Sequence, residues 1–442
     1  MFIYNENSPI NFQSRLPDSV DVVVIGGGVI GISTAWFLRQ RGLSVLVCDK
    51  GRVAGEQSSR NWGWVRSMGR DADEVPIAMD SINLWEEFAQ QLGDGIGFRR
   101  EGITFLAETD DAMTECEAWL GIADKYGLDT RMLLKQELGN VIKVGVGKWK
   151  GGMITPSDAR AEPFTAVKTI ADGLIARGGL VRESCAVRSI EKQAGKISAV
   201  VTEHGTVKTN AVVCAAGAWS TMFLTNMGVS LPQLAVRGTV ARTQPAASVF
   251  EGAVAFEDVF VRRRQDGGYT VATGMVEHNI GVNSFRFLPK FLSSTGSASD
   301  LRVRLSRDVT QKSFLSSKWS AEDISPFEHH RVLNPEPSQT ALKLMRDKLK
   351  QRVPELADVQ FAESWAGMMD ATPDVVPVMD RIPGNEGLFL ATGFSGHGFG
   401  IGPGAGRVMA DMITGESARY DLKRFRFSRF SDGSKIIPGP AI

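Results

Sequence analysis

One stretch near the N-terminus constrains the fold most tightly: Asp21-Val-Val-Val-Ile-Gly26-Gly27-Gly28-Val-Ile-Gly31. An apolar, strand-forming run enters a glycine turn, and the turn opens a helix that continues through Trp36, Phe37 and Leu38. Gly26, Gly28 and Gly31 have the spacing of a dinucleotide-binding fingerprint. The first makes a tight turn, the second lets a pyrophosphate approach the backbone, and the third lets the helix pack closely on the strand. The helix start then offers free N–H groups and a partial positive charge to phosphates. A second strand, Leu43-Ser-Val-Leu-Val-Cys48, ends in Asp49, eighteen residues beyond Gly31, where the motif places a carboxylate for ribose hydroxyls. An ordinary strand-to-helix turn would also show glycines. The flanking strand, the helix and Asp49 together favour a bound nucleotide.

A chain of 442 residues exceeds one compact core, so two domains are expected. Lysine plus arginine (50) balances aspartate plus glutamate (50), which leaves no electrostatic footprint for a nucleic acid. Cys48, Cys116, Cys185 and Cys214 lie far apart without a CxxC pair, so buried thiols in a reducing compartment are expected and no metal site is visible. Residues 22–38 carry no charge, yet their glycines at turn spacing make them strand, turn and helix rather than a membrane span. The polar segment 1–19 lacks the basic-then-apolar pattern of a signal peptide, and a cytoplasmic protein is the expectation.

Beyond Asp49 a loop rich in Arg, Trp and Ser runs from Lys50 to Arg66, the composition of a segment that lines a site. Helical periodicity follows at 76–92, a strand at 102–107 and a helix at 109–126. Residues 151–158 carry a turn signal before a helix at 162–177 and four short strands between 180 and 209. The apolar Ala211-Val-Val-Cys-Ala-Ala216-Gly217-Ala-Trp219 has the character of a buried parallel strand. Alternating strands between 231 and 360 point to an antiparallel sheet with one face open to a ligand. Phe285-Arg-Phe-Leu-Pro-Lys-Phe-Leu292 and the Ser/Gly run after it read as a partly buried loop, with a lid or surface-docking patch as the alternative. A helix at 338–353 stops at Pro354. The glycine-rich segment from Gly393 opens a last helix reaching about 414, and the basic, aromatic tail after Tyr420 is expected to wrap the surface.

Taken together, these segments resemble the flavin amine and amino-acid oxidoreductase family that includes D-amino-acid oxidase, glycine oxidase and monomeric sarcosine oxidase. The resemblance spans nearly the whole chain. Its carriers are the fingerprint with Asp49, Ser58-Ser59-Arg60-Asn61, Val213-Cys-Ala-Ala-Gly217-Ala-Trp219, Trp365-Ala-Gly367-Met-Met369-Asp-Ala-Thr372-Pro-Asp374, and Gly393-Phe394-Ser395-Gly396-His397-Gly398. It implies an α/β plus α+β protein. A Rossmann-type FAD-binding domain would be assembled from residues 1–98, 152–230 and 361–442, and an antiparallel-sheet substrate domain from 99–151 and 231–360. FAD would be held by Gly26, Gly28, Gly31, Asp49, Lys50, Ser58, Ser59, Arg60, Asn61, the backbone of Val187, Ala216, Gly217 and Trp219. The run Gly393, Phe394, Ser395, Gly396, His397 and Gly398 would lie along the flavin, where free N–H groups at a helix start stabilise negative charge.

Departures bear on the substrate. Sarcosine oxidases attach flavin through a cysteine where this chain has Gly367, so non-covalent FAD is expected. Their carboxylate-binding lysine falls at Gly400 and their oxygen-activating lysine near Thr270, while the arginine of glycine and D-amino-acid oxidases falls at Met369. Arg66, Arg70 and Arg262 remain as substrate-binding candidates together with Met369, and Arg66 and His397 are the catalytic ones. The implied reaction is oxidation of the C–N bond of a secondary amine or amino acid, N-substituted glycines foremost. Electrons would pass to oxygen, or to a quinone or electron-transfer partner with peripheral membrane docking. An NAD-dependent dehydrogenase and a non-catalytic FAD-fold protein are the rival readings.

Overall fold

A computed structural model describes residues 3–143, 148–292, 301–304 and 318–439. The fingerprint strand Val22–Ile25 lies centrally in a six-stranded sheet ordered Val378–Arg381, Leu388–Thr392, Ala211–Cys214, Val22–Ile25, Val45–Cys48 and Leu180–Arg182. Pairing is parallel throughout except at the antiparallel edge strand Val378–Arg381. Side chains alternate between its faces. Val22 and Val24 join one core with the helices Val29–Gln40, Val75–Leu92, Pro163–Ala176 and Gly398–Thr414. Val23 and Ile25 join another with Val187, Ile197 and Val207 of a three-stranded antiparallel sheet. A sheet covered on both faces requires uninterrupted apolar strands, and Val-Val-Val-Ile supplies one.

Two glycines bring strand and helix together as the fingerprint requires. Gly26 has φ 109°, and a Cβ there would lie 2.3 Å from the Ala215 carbonyl oxygen. A Cβ on Gly31 would lie 2.0 Å from the oxygen of Gly26. A larger residue at Gly31 would force the helix away from the sheet, and one at Gly26 would push the turn off the Ala215 backbone beyond the neighbouring strand.

The second large sheet runs Phe361–Ala371, Leu234–Thr243, Tyr269–Asn279, Val259–Arg263, Ala253–Phe256, Ile103–Ala107, Gly151–Thr155 and Arg131–Leu134, with Leu301–Arg304 beside Tyr269–Asn279. Its pairs are antiparallel except two, Ile103–Ala107 with Ala253–Phe256 and Leu301–Arg304 with Tyr269–Asn279. Three elements differ from expectation. Residues from 361 on were expected with the nucleotide-binding stretches, yet Phe361–Ala371 pairs with Leu234–Thr243 in the antiparallel sheet. The turn signal at Gly151-Gly152 is a strand, because these glycines let neighbouring backbones close in; a Cβ on Gly152 would sit 2.1 Å from the Phe105 oxygen. Val282–Phe291 is a helix rather than a loop; Phe287 is buried, whereas Phe285 (71%), Leu288 and Leu292 are exposed. The Ser/Gly run at 293–300 lies outside the described residues.

The tail packs through Phe425 and Phe430, and Arg429 grips Asp374 with Nε (2.8 Å) and Nη2 (3.0 Å). All four cysteines are free and buried. Among the described residues no helix is long and apolar enough to cross a membrane, and no group of His, Cys, Asp and Glu could hold a metal ion.

Candidate active site: two adjoining cavities

The glycine turn opens onto a cavity of about 1220 Å³. Its walls include Gly26, Gly28, Asp49, Lys50, Ser58 and Asn61 from the first βαβ unit, with Val187 and Ala216 to Trp219 beyond the central strand. Phe394, Gly396 and Gly398 close its far end, more than 360 residues along the chain from the fingerprint. The charged groups around it are held by the protein itself. Gly27 N–H donates to Asp49 Oδ2 (2.7 Å) and Gly51 N–H to its Oδ1 (2.7 Å). Burial nevertheless pushes the Asp49 carboxyl up to about 6. Lys50 donates to Glu56 (2.6 Å) and to the carbonyls of His330 and Arg331, and lies 4.2 Å from the Trp219 ring centre. Trp219 Nε1–H donates to Glu56 Oε2 (2.9 Å), and Arg331 pairs with Glu203. Val29, which opens the helix, donates its N–H to Ser58 Oγ (2.9 Å). A backbone turn, a helix start and a carboxylate ending the second strand thus converge on one long cavity, the shape and chemistry that hold a dinucleotide.

Not every expected cofactor residue stands in that wall. Arg60 is 1% exposed and donates to the carbonyls of Ala366 (2.8 Å), Tyr4 (3.0 Å) and Gly55 (3.2 Å), so it fastens this loop to the strand Phe361–Ala371. Ser59 Oγ donates to Glu56 O (3.2 Å), and Gly31 is spent on helix–strand contact. Gly393 N–H donates to Asp370 Oδ2 (2.7 Å), and Ser395 Oγ donates to Gly393 O (3.0 Å), which shapes the turn. Ser395 and His397 line the neighbouring cavity instead. Glu56 and Gln57 of the Lys50–Arg66 loop, Met368 and Phe399, none of them singled out from the sequence as a cofactor contact, do contribute to the wall of the larger cavity.

The second cavity, about 760 Å³, is bounded by Trp62, Trp64, Arg66, Arg70, Thr239, Val240, Thr273, Met369 and His397. Gln57, Asn61, Gly396 and Phe399 line both cavities, so the two meet there. Met368 and Met369, consecutive on one strand, face the first and the second respectively. Half-buried Arg66 and buried Arg70 stand out among the arginines of this cavity. Arg66 donates to Met68 O (3.0 Å) and lies 5.5 and 5.4 Å from the ring centres of Trp64 and Phe105. Arg70 is only 6% exposed. Neither forms an ion pair among the described residues. Burial lowers the pKa of both, and Arg70 lowers that of Arg66 further by repulsion. Buried guanidinium groups left in this state need an anion.

Arg262 does not belong with them. It is 1% exposed, grips Glu162 with Nη1 (3.0 Å) and Nη2 (3.2 Å), and donates Nε–H to Trp62 O (2.6 Å). The expectation that it points at a ligand fails because Glu162, at the start of the helix Pro163–Ala176, has already claimed it; the pair holds the Trp62 loop in place. The positions without the family's lysine and arginine are filled by packing. A Cβ on Gly400 would lie 3.1 Å from Trp64 O, Thr270 Oγ1 accepts from Arg262 (3.3 Å), and Met369 contributes an apolar wall.

His397 immediately precedes the helix Gly398–Thr414 and is 3% exposed. Its Nδ1 lies 3.0 Å from Oε2 of the fully buried Glu74, a residue with no sequence signal of its own. Burial pushes Glu74 up to about 8, and burial followed by Arg70 and Arg66 depresses His397 far below its ordinary value. Both groups are therefore neutral at neutral pH. Asp158, which accepts from Ser67 N–H (2.7 Å), Ser67 Oγ–H (2.8 Å) and Met68 N–H (3.3 Å), is pushed by burial up to about 6.

Comparison with known proteins identifies the family. Residues 21–412 match the model of the FAD dependent oxidoreductase family. The chain is 24% identical over 410 residues to a glycine oxidase of Pseudomonas putida, covering 91% of this chain and 97% of the relative. It is 23% identical over 426 residues to the mitochondrial sarcosine dehydrogenase of Mus musculus, of which it spans only 42%. Superposition on the L-amino acid deaminase of Proteus myxofaciens, solved in complex with anthranilate, gives a TM-score of 0.92 at 30% identity, covering 97% of each chain. The chain belongs to the FAD dependent oxidoreductase family, whose members use FAD.

Proposed function

We propose that this protein oxidises the carbon–nitrogen bond of an amino carboxylate, either an amino acid or an N-substituted glycine, at the junction of the two cavities. The observation that carries the proposal is a pair of arginines without an ion-pair partner among the described residues, half-buried Arg66 and buried Arg70, beside the cofactor cavity. The relatives support the same class. Glycine oxidase and sarcosine dehydrogenase are named for such substrates, and the deaminase structure holds anthranilate, an amine that bears a carboxylate.

Local charge selects the form of substrate. At neutral pH the two guanidinium charges face Asp158, with its value of about 6, while Glu74 at about 8 stays protonated beside a neutral His397. One net positive charge remains. It is balanced by a carboxylate whose amine is neutral, and that is also the form able to release hydrogen from the adjacent carbon. Trp62, Trp64, Val240 and Met369 exclude water from the rest of the substrate. Bound FAD supplies the two-electron acceptor for that hydrogen. Asp49, the fingerprint amides and Ser58 would hold its adenosine and pyrophosphate part, and the Phe394 to Gly398 turn its flavin end. Non-covalent binding fits Gly367, which has no side chain to link a flavin.

Anaerobic titration of the purified protein with amino carboxylates tests the reading by bleaching of the flavin bands. Bleaching by simple amines as readily as by amino carboxylates would refute it. A second question is the acceptor. The exposed Phe285, Leu288 and Leu292 favour a quinone or a partner protein over oxygen, and the yield of peroxide in air decides between them.

A further inference from the structure

Glu74 and His397 form a buried pair that neither the fingerprint nor the flavin-side motif accounts for. His397 is part of the substrate-cavity wall, its Nδ1 is 3.0 Å from Glu74 Oε2, and its Nε2 has no partner among the described residues. Glu74 Oε1 is likewise without a partner. Leaving two buried polar atoms unsatisfied destabilises the fold, and nothing in the packing requires it. We propose that Glu74, acting through His397, takes up the proton that the substrate's ammonium group sheds on binding. This rests on the amino-carboxylate reading above.

The accepting form, which prevails only above about pH 8, has Glu74 ionised, with Nδ1–H donating to its carboxylate and the Nε2 lone pair free. The substrate N–H bond breaks as Nε2–H forms, and Nδ1–H breaks as Glu74 Oε2–H forms. No electrons are transferred. The pair ends neutral, and the amine ends neutral with its carboxylate beside Arg66 and Arg70. Charged groups around the pair set its poise. Burial and the repulsion of Arg70 and Arg66 oppose a cationic His397, Asp71 favours it, and the position just before a helix opposes it again. On Glu74 burial dominates, Arg70 and Arg424 favour ionisation, and Asp71 and Asp374 oppose it. A ligand carboxylate adds a negative charge nearby and so favours the protonated pair. Glu74 is a positioning residue in this scheme, and His397 the group that meets the substrate.

The test uses the FAD-loaded protein and benzoate, a carboxylate with no amine and no proton to bring. Calorimetry near pH 8 in two buffers of different ionisation enthalpy counts the protons exchanged per benzoate bound. Wild type should take up protons, and Glu74→Gln, which cannot ionise, should not. With an amino carboxylate that bleaches the flavin, the second-order rate of reduction should rise with pH through about 8 in wild type, in line with Glu74. Glu74→Gln should lose that rise and about 100-fold in rate, with Glu74→Asp recovering part of both. Absence of uptake by wild type, equal uptake by Glu74→Gln, or an unchanged pH profile in that variant each overturns the proposal. Uptake with no amine able to bleach the flavin overturns the substrate reading instead and leaves the proton coupling of the pair standing.

Discussion

The two cavities handle charge in opposite ways. Around the cofactor, Lys50 has Glu56, Arg331 has Glu203, and Asp49 has two backbone N–H groups. Around the second cavity, Arg66 and Arg70 have no carboxylate in contact among the described residues. A resident cofactor is served by a cradle complete before it arrives. A transient ligand is better served by groups whose stabilisation is withheld until it binds, since that difference drives binding and orients the substrate.

The sharpest way to break this contrast is to unpair an arginine that the fold uses. Glu162→Ala leaves Arg262 buried without its partner, and thermal or denaturant unfolding should show a loss of about 3–5 kcal/mol. Arg70→Ala should do the reverse, with stability held or improved while affinity for benzoate falls about 10–100-fold, from charged hydrogen bonds worth roughly 1.5–3 kcal/mol. Arg66→Ala should behave alike and leave the flavin spectrum nearly intact. Titration of benzoate against each variant, followed by its spectrum, measures both. If Arg70→Ala unfolds the protein as readily as Glu162→Ala, the distinction between the two kinds of arginine falls.

Glu74 offers a subtler comparison. Its folded-state pKa of about 8 lies above the ordinary carboxyl range, so the folded chain holds that proton more tightly than the unfolded one. Its contribution is fully present at low pH and is lost as pH rises from the unfolded value through about 8. Melting temperatures of Glu74→Gln and wild type should therefore diverge over that window, with the variant gaining as pH rises. The smallest expected effect is at Met369. Met369→Leu nearly conserves volume, should cost less than about 1.5 kcal/mol, and should alter preference among substrate side chains while leaving FAD retention unchanged.

How much of this was legible in the sequence follows from how local each signal is. The fingerprint, Asp49 and the Phe394 to Gly398 turn are contiguous motifs whose geometry is set by neighbours in sequence, and they line the cofactor cavity. Helix starts with short-range cues were equally legible, as with Ser338, whose Oγ accepts from Ala341 N–H at the start of Gln339–Arg352. Arg262 was misread because its partner Glu162 lies 100 residues away, and nothing in either local pattern announces the other. Glu74 was passed over for the same reason, since its contact with His397 spans 323 residues. The strand Phe361–Ala371 carries no strand signal of its own, because its eleven residues mix glycine, acids and methionines without clean alternation. Its place is set by pairing with Leu234–Thr243, a long-range fact.

That strand also offers an engineering handle. Because Met368 and Met369 project to opposite sides, one position addresses the cofactor compartment and the next addresses the substrate. Libraries varied at Met369 test whether selectivity changes while cofactor retention stays fixed, and variation at Met368 tests the converse. A single-residue insertion between 361 and 367 would exchange the two assignments, so this short segment tolerates substitution far better than a change in length.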